Sequence, residues 1–199
     1  MPPITDEKLL VLFRNGDENA FAQLVKRYEK ELYNFLLRFL GQSSFAEDVF
    51  QETFLQVHIS AGRFQENRRF RPWLYTIASN KARDHLRSRA RRPTVQISAQ
   101  DDEQDVGSLW DYLLTDQTTA EDIYIEKQQK EKVREMVGKL PDNLRQILIL
   151  AYFSKLSYQE MADVLEIPLG TVKSRLHSAV AHFGRIYREH TELNDRNTK

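Results

Sequence analysis

Ser157-Tyr158-Gln159-Glu160-Met161-Ala162-Asp163-Val164-Leu165-Glu166-Ile167-Pro168-Leu169-Gly170-Thr171-Val172-Lys173-Ser174-Arg175-Leu176-His177-Ser178-Ala179 is the stretch on which the reading of this chain turns. Its first four residues have the spacing of a capping box, in which Ser157 and Glu160 each satisfy a free amide of the other. A short helix to about Leu165 is expected to follow, then the three residues Glu166-Ile167-Pro168, then a second helix. Met161, Ala162, Leu165, Ile167, Val172 and Leu176 recur where two crossing helices need a small shared core. The second helix keeps Thr171, Lys173, Ser174, Arg175, His177 and Ser178 outside that core. These are donors and acceptors of the kind that read base edges or hold phosphate. Any helical hairpin shares the bare architecture. The DNA-binding reading therefore rests on charge: from Leu169 to Arg188 there are four basic residues and no carboxylate. Glu166 stands where such a turn usually has Gly, so the turn is expected to strain slightly or change shape.

Upstream of this motif, Leu140-Pro141-Asp142 opens a helix through Tyr152, with Leu144, Ile147, Leu148 and Ala151 on one face. A further helix is expected from near Ala120 to about Gly138, and the last helix of the chain is expected to end near Glu189. The N-terminal half is helical too. Phe21, Leu24, Val25, Tyr28, Leu32, Phe35, Leu36 and Phe39 follow the three–four spacing between an N-cap at Asp17 and a stop at Gly41. Ser44-Phe45-Ala46-Glu47 has capping-box spacing and leads a helix that turns Ala46, Val49, Phe50, Thr53, Phe54 and Val57 inward. Pro72 suits a first helical position, and a third helix from there to about Ala90 is expected to bury Trp73, Ile77, Ala78 and Leu86. Trp73 and Phe70, at helical spacing with Ile77, read as core rather than as a platform for bases. The fold class is all-α, with two small helical domains joined by an acidic flexible linker, the C-terminal one a helix-turn-helix.

Charge supports that division. The formal net charge is zero, yet Ala61 to Arg92 holds ten Lys/Arg against two carboxylates, and Pro93 to Glu126 holds nine carboxylates and no cation. A neutral sum thus hides a strongly basic face. The two blocks are expected to attract each other in the free protein. Cysteine is absent, which excludes a disulfide framework and a thiolate zinc site. No apolar run is long enough to span a bilayer, and the start lacks a secretory signal, so the expectation is a cytoplasmic protein without membrane insertion. No phosphate-binding loop, clustered metal-ligand spacing or nucleophile motif occurs, so neither an enzyme nor a cofactor is expected.

These residues carry a resemblance. Leu140-Pro141-Asp142, Ser157 to Ala162 and Ile167 to Leu176 are similar to region four of the extracytoplasmic-function (ECF) sigma factors of bacterial RNA polymerase. Ala46 to Phe54 resembles the polymerase-binding helix of region two in that family, and Phe70 to Asn80 with the basic stretch after it resembles its promoter-melting segment. The resemblance covers about residues 10–92 and 120–187. It implies a domain at 1–92 for polymerase binding, the downstream promoter element and melting, an acidic linker at 93–119, a domain at 120–189 for the upstream element, and a flexible tail at 190–199.

It also implies roles. Asp48, Gln51, Glu52 and Leu55 would contact polymerase. Arg63, Arg68, Arg69, Arg71, Asn80, Lys81, Arg83, Asp84, Arg87, Arg91 and Arg92 would engage the downstream element, with Phe64 offering a stacking surface. Tyr158, Thr171, Lys173, Ser174, Arg175, His177 and Ser178 would read the upstream element. Asp84 has a plainer reading as an intrahelical partner of Arg87 or Lys81. The implied partners are core RNA polymerase, promoter DNA and an anti-sigma factor. Two readings stand beside this one: a helix-turn-helix regulator with a helical sensor domain, and a helical protein-interaction module. The basic Ala61–Arg92 block separates the sigma reading from the sensor, and the charge on the last helix separates both from the module.

Overall fold

The structure is a computed structural model and describes residues 4–65, 67–91 and 132–197, with side chains up to residue 190. These residues hold helices and no strand. The N-terminal domain contains α1 (Asp6–Arg14), α2 (Glu18–Leu40), α3 (Ser43–Ser60), a 3-10 turn at Ala61–Arg63, and α4 (Phe70–Arg91). The C-terminal domain contains a helical stretch at 132–138, then α5 (Asp142–Tyr152), α6 (Tyr158–Leu165) and α7 (Leu169–Asn197).

Helix α2 forms as its stripe predicts. The Asp17 carboxylate accepts from the Asn19 amide at 3.0 Å, and Gly41 closes the other end in the left-handed region at φ 81°, where an L side chain would be strained. Leu24, Tyr28, Leu32, Phe35, Leu36 and Phe39 are buried, against Ala46, Val49, Thr53, Phe54 and Val57 of α3 and Leu74, Tyr75 and Ala78 of α4.

Four features differ from expectation. The sequence reading passed over α1, which Thr5 caps and whose Leu9, Leu10 and Phe13 enter the core. The capping box proposed at Ser44 does not form. Gln42 is the extended residue before α3, without a side-chain cap, so Ser44 lies inside the first turn, and the Glu47 amide that its box would use already belongs to the helical ladder. Helix α4 begins at Phe70, two residues before Pro72. The Phe70 amide donates to Glu7 at 2.9 Å, and Pro72 remains in the first turn, where its missing N–H goes unused. At the other end of the chain α7 continues to Asn197, through most of the segment expected as a tail, because nothing after Gly184 breaks a helix once it is propagating. Of the helix expected at 120–138, only 132–138 lies among the described residues, and the acidic linker lies outside them.

The two domains touch. Helix α2 packs against α5 and α4 against α6, and one cluster of buried apolar side chains runs through both domains. Arg134 donates to the Gly41 carbonyl at 3.3 Å. Asp6, Glu7, Arg68, Arg69, Arg71 and Glu160 line a cleft of about 580 Å³ along the seam.

Candidate nucleic-acid interface

The helix-turn-helix is built as its spacing predicts. The Ser157 hydroxyl accepts from the Glu160 amide at 3.2 Å, and the Glu160 carboxylate accepts from the Ser157 amide at 2.9 Å, completing the capping box. Burial pushes the Glu160 carboxyl up. The Ser157 amide and hydroxyl, with Arg71 and Arg69 nearby, pull it down further, so the net effect lies below the usual carboxylate range. Helix α6 ends on Glu166, which takes the left-handed conformation at φ 54°, ψ 45° that Gly would adopt without strain. The turn keeps its shape and carries the strain. The Pro168 carbonyl then accepts from Thr171 at 2.8 Å and Val172 at 3.1 Å, starting α7. Met161, Ala162, Leu165, Val172, Leu176 and Ala179 are buried. Lys173, Ser174, His177 and Ser178 are exposed, Thr171 and Arg175 are half-buried, and Tyr158 stands exposed at the head of α6.

The basic segment places its residues unequally. Arg63, Arg68, Arg69, Asp84, Arg87 and Arg91 are exposed, and Asn80, Lys81 and Arg83 are half-buried; Arg92 lies outside the described residues. Helix α4 buries Leu74, Tyr75, Ala78, Ser79 and Ala82. Asn80, Asp84, Arg87 and Arg91 recur at helical spacing along another face of it. Arg83 donates to the Asn80 side-chain oxygen, which fixes that amide, and Asp84 pairs with Arg87 at 3.6 Å.

Arg71 turns inward. It bonds to Glu31 and donates to the Ser154 carbonyl at 2.5 Å, while Tyr75 donates to the same Glu31 oxygen at 2.8 Å. Burial pulls the Arg71 guanidinium down, but Glu31 more than restores it, so it stays charged. Arg69 reaches Glu160 at 3.4 Å. Phe64 does not offer the expected stacking surface. It is 6% exposed, with its ring 4.9 Å from Trp73 and 6.3 Å from Phe70, and it anchors the loop that carries the arginines. Phe70 is fully buried and Trp73 half-buried, as their spacing predicts.

On α3 the residues Asp48, Gln51, Glu52 and Leu55 are all exposed, away from Val49, Thr53 and Val57. Leu55 is 61% exposed, and one turn further Ile59 is 68% exposed. Ile59 was missed, although its signal is in the sequence: it lies four residues from Leu55 and off the Ala46–Val49–Thr53–Val57 stripe. Glu52 also pairs with Lys81 of α4 at 3.6 Å. Among the described residues no group of three or more His, Asp or Glu is placed to hold a metal, and no helix is long and apolar enough to cross a membrane.

The comparisons agree with this geometry. Residues 24–92 match the Sigma-70 region 2 family and residues 130–183 match Sigma-70, region 4. The chain is 32% identical over 171 residues to the ECF RNA polymerase sigma factor SigW of Bacillus subtilis, covering 86% of this chain and 90% of that protein. It is 35% identical over 175 residues to the RNA polymerase sigma-H factor of Pseudomonas aeruginosa, covering 87% and 89%. Among solved structures it is similar to CnrH in complex with the cytosolic domain of CnrY, with a TM-score of 0.66 at 25% identity over 92% of this chain and 97% of that one. The sigma factor RpoE in complex with the anti-sigma factor NepR from Bartonella quintana shares the fold, with a TM-score of 0.60 at 19% identity over 84% and 96%. With both family regions matched in order, and relatives above 30% identity matched over nearly their whole length, the chain belongs to the ECF sigma factors of RNA polymerase.

Proposed function

We propose that this sigma factor divides its work between its two domains. The 1–92 domain binds core polymerase through Asp48, Gln51, Glu52, Leu55 and Ile59 of α3. It engages the downstream promoter element through Asn80, Lys81, Arg83, Arg87, Arg91 and the loop arginines. The 120–189 domain reads the upstream element with Lys173, Ser174, Arg175, His177 and Ser178, steadied by Tyr158 and Thr171. The observation that carries this reading is the outer face of α7, which presents Lys173, Ser174, His177 and Ser178 to solvent in a segment free of carboxylates from Leu169 to Arg188. The work is binding, not covalent chemistry: phosphate attraction, capture of unpaired bases and offset of unstacking. Its place is the cytoplasm, where polymerase and promoter are. The complexes of CnrH with CnrY and of RpoE with NepR support an anti-sigma partner for this chain as well.

Run-off transcription with core polymerase and promoter DNA tests the assignment. A transcript that depends on the protein, and that Lys173→Ala and Asp48→Arg each reduce for different reasons, is the expected result. Loss of polymerase binding in Asp48→Arg with duplex binding intact separates the two domains. Transcription independent of the protein overturns it.

A further inference from the structure

Asn80 and Arg83 stand one turn apart on α4, both half-buried. The Arg83 guanidinium is held at two points. Its Nε donates to the Ser79 carbonyl at 3.3 Å, and a terminal nitrogen donates to the Asn80 side-chain oxygen. Ser79 is fully buried, so the planar fork has a firm seat. Asp84, next to Arg83 in the chain, pairs instead with Arg87 at 3.6 Å. The chemistry of the guanidinium then decides how the amide points. It has donors and no acceptor, so only the oxygen of the Asn80 amide can face it, and the amide nitrogen must turn the other way. A charged donor makes this the stronger kind of hydrogen bond.

An asparagine that is free to turn pairs with adenine through two bonds, donating to N7 and accepting from the N6 amino group. On α4 the accepting half of that pair is taken. An incoming N6 amino group would compete with a fixed cation for the same oxygen. What remains for a base is the Nδ2 donor, and adenine alone among the four bases has no carbonyl oxygen to receive it. We propose that Arg83 is a positioning residue that makes Asn80 a donor-only reader, so that the promoter base facing Asn80 is selected against adenine. This role rests on the assignment of Asn80 to the downstream element made above. It sets Arg83 apart from Arg87 and Arg91, whose exposed guanidinium groups suit phosphate, because Arg83 acts through a neighbouring side chain.

Holoenzyme assembled from the full chain and core polymerase selects transcribed templates from a DNA pool randomised across the promoter. Each base of the downstream element so found is then replaced in turn. Run-off yield and promoter binding over a salt series are compared for wild type, Asn80→Ala, Arg83→Met, Arg83→Ala, and Asn80→Ala combined with Arg83→Met. Met keeps the apolar stem of Arg83, circular dichroism checks folding, and either Arg83 variant that folds suffices. The expected result is one position at which wild type disfavours adenine by about five-fold or more, and at which adenine regains that factor in the Arg83 variants. Asn80→Ala flattens the preference at the same position, and adding Arg83→Met to it changes nothing further there. Arg83 variants that weaken all templates alike, with the salt slope reduced by about 1 and the discrimination against adenine intact, overturn the positioning role and make Arg83 a phosphate contact. A downstream element in which no position disfavours adenine overturns it as well. Preferences unchanged at every position in Asn80→Ala overturn the assignment of Asn80 itself, and the role of Arg83 with it.

Discussion

The carboxylate of Glu7 accepts a hydrogen bond from the backbone amide of Phe70 at 2.9 Å, so α1 caps the helix that carries the arginines proposed to meet the promoter. A charged acceptor at a helix start satisfies an amide that would otherwise be orphaned, and it sits favourably in the field of the helix dipole. Glu7→Ala is expected to destabilise the N-terminal domain by about 1 kcal/mol, with Glu7→Gln costing less. Urea unfolding of the full chain checks it; equal midpoints for wild type and Glu7→Ala contradict a capping role.

Glu166 carries the strain of the helix-turn-helix turn at φ 54°. A left-handed residue with a Cβ costs about 1–2 kcal/mol, part of which Gly gives back as chain entropy in the unfolded state. Glu166→Gly is therefore expected to stabilise the C-terminal domain by roughly 0.5–1 kcal/mol, seen as a higher thermal midpoint. A lower midpoint would mean that the Glu166 side chain makes a contribution larger than its backbone strain.

Lys173 and Arg175 differ in exposure, and that difference predicts different phenotypes. Lys173 is exposed and carries a compact point charge, suited to phosphate, whereas Arg175 is half-buried and has a planar fork suited to a base edge. Arg175→Ala should cost about 1–3 kcal/mol on the preferred duplex and relax preference at one base pair. Lys173→Ala should weaken all duplexes alike and reduce the salt slope by about 1. Binding titrations over a salt series on matched and mismatched duplexes distinguish them.

Leu55 and Ile59 project from α3 beside Asp48 and Glu52, an apolar anchor within an acidic frame. Interfaces of this kind concentrate their energy in a few central residues. Ile59→Asp should lower core-polymerase affinity at least ten-fold without changing thermal stability, because Ile59 packs against nothing in the core. Wild-type retention of polymerase by Ile59→Asp in a pull-down would remove it from the interface.

The depressed pKa of Glu160 gives a pH signature. A carboxylate held below its unfolded value of about 4.3 contributes stability that is fully present above that value and is lost as pH falls through the folded one. Gln preserves capping-box geometry but not the charge that faces Arg69 and Arg71. Glu160→Gln should therefore be less stable than wild type at neutral pH, with the gap closing as pH falls through the lowered folded value. A gap between the two that persists unchanged at pH 3 would show that charge is not what Glu160 supplies.

Much of this molecule was legible before its structure. The α2 stripe, the Ser157 capping box and the three-residue turn all follow from periodicities and cap residues that act within a few positions of one another. Helix α1 was missed because nine residues give only about two and a half turns of pattern, and its stability comes largely from burying Leu9, Leu10 and Phe13 on other helices. The Ser44 box had the right letters in the wrong place, since the helix had already started at Ser43, after the extended Gln42. Phe64 was assigned to bases because an aromatic in a basic loop suits either role, and only the proximity of Trp73 and Phe70 decides between them. The inward turn of Arg71 and the pairing of Arg38 with the Phe153 ring were invisible for a different reason. Sequence shows that a cation exists, whereas its partner is chosen by tertiary approach of helices that have no shared period.

The ion pair between Glu52 and Lys81 joins α3 to α4, the helices proposed to meet polymerase and promoter DNA. An ammonium shared with a carboxylate is only partly available to phosphate. Under the roles proposed for these residues, a polymerase cation that took hold of Glu52 would return Lys81 to the nucleic acid, and the assembled enzyme would displace about one more counterion from DNA than the lone protein, steepening its dependence on salt by about 0.9 per added phosphate contact. On that reading, docking on polymerase and grip on DNA would be geared to each other through the Lys81 ammonium, with ionic strength setting how strongly the gear engages.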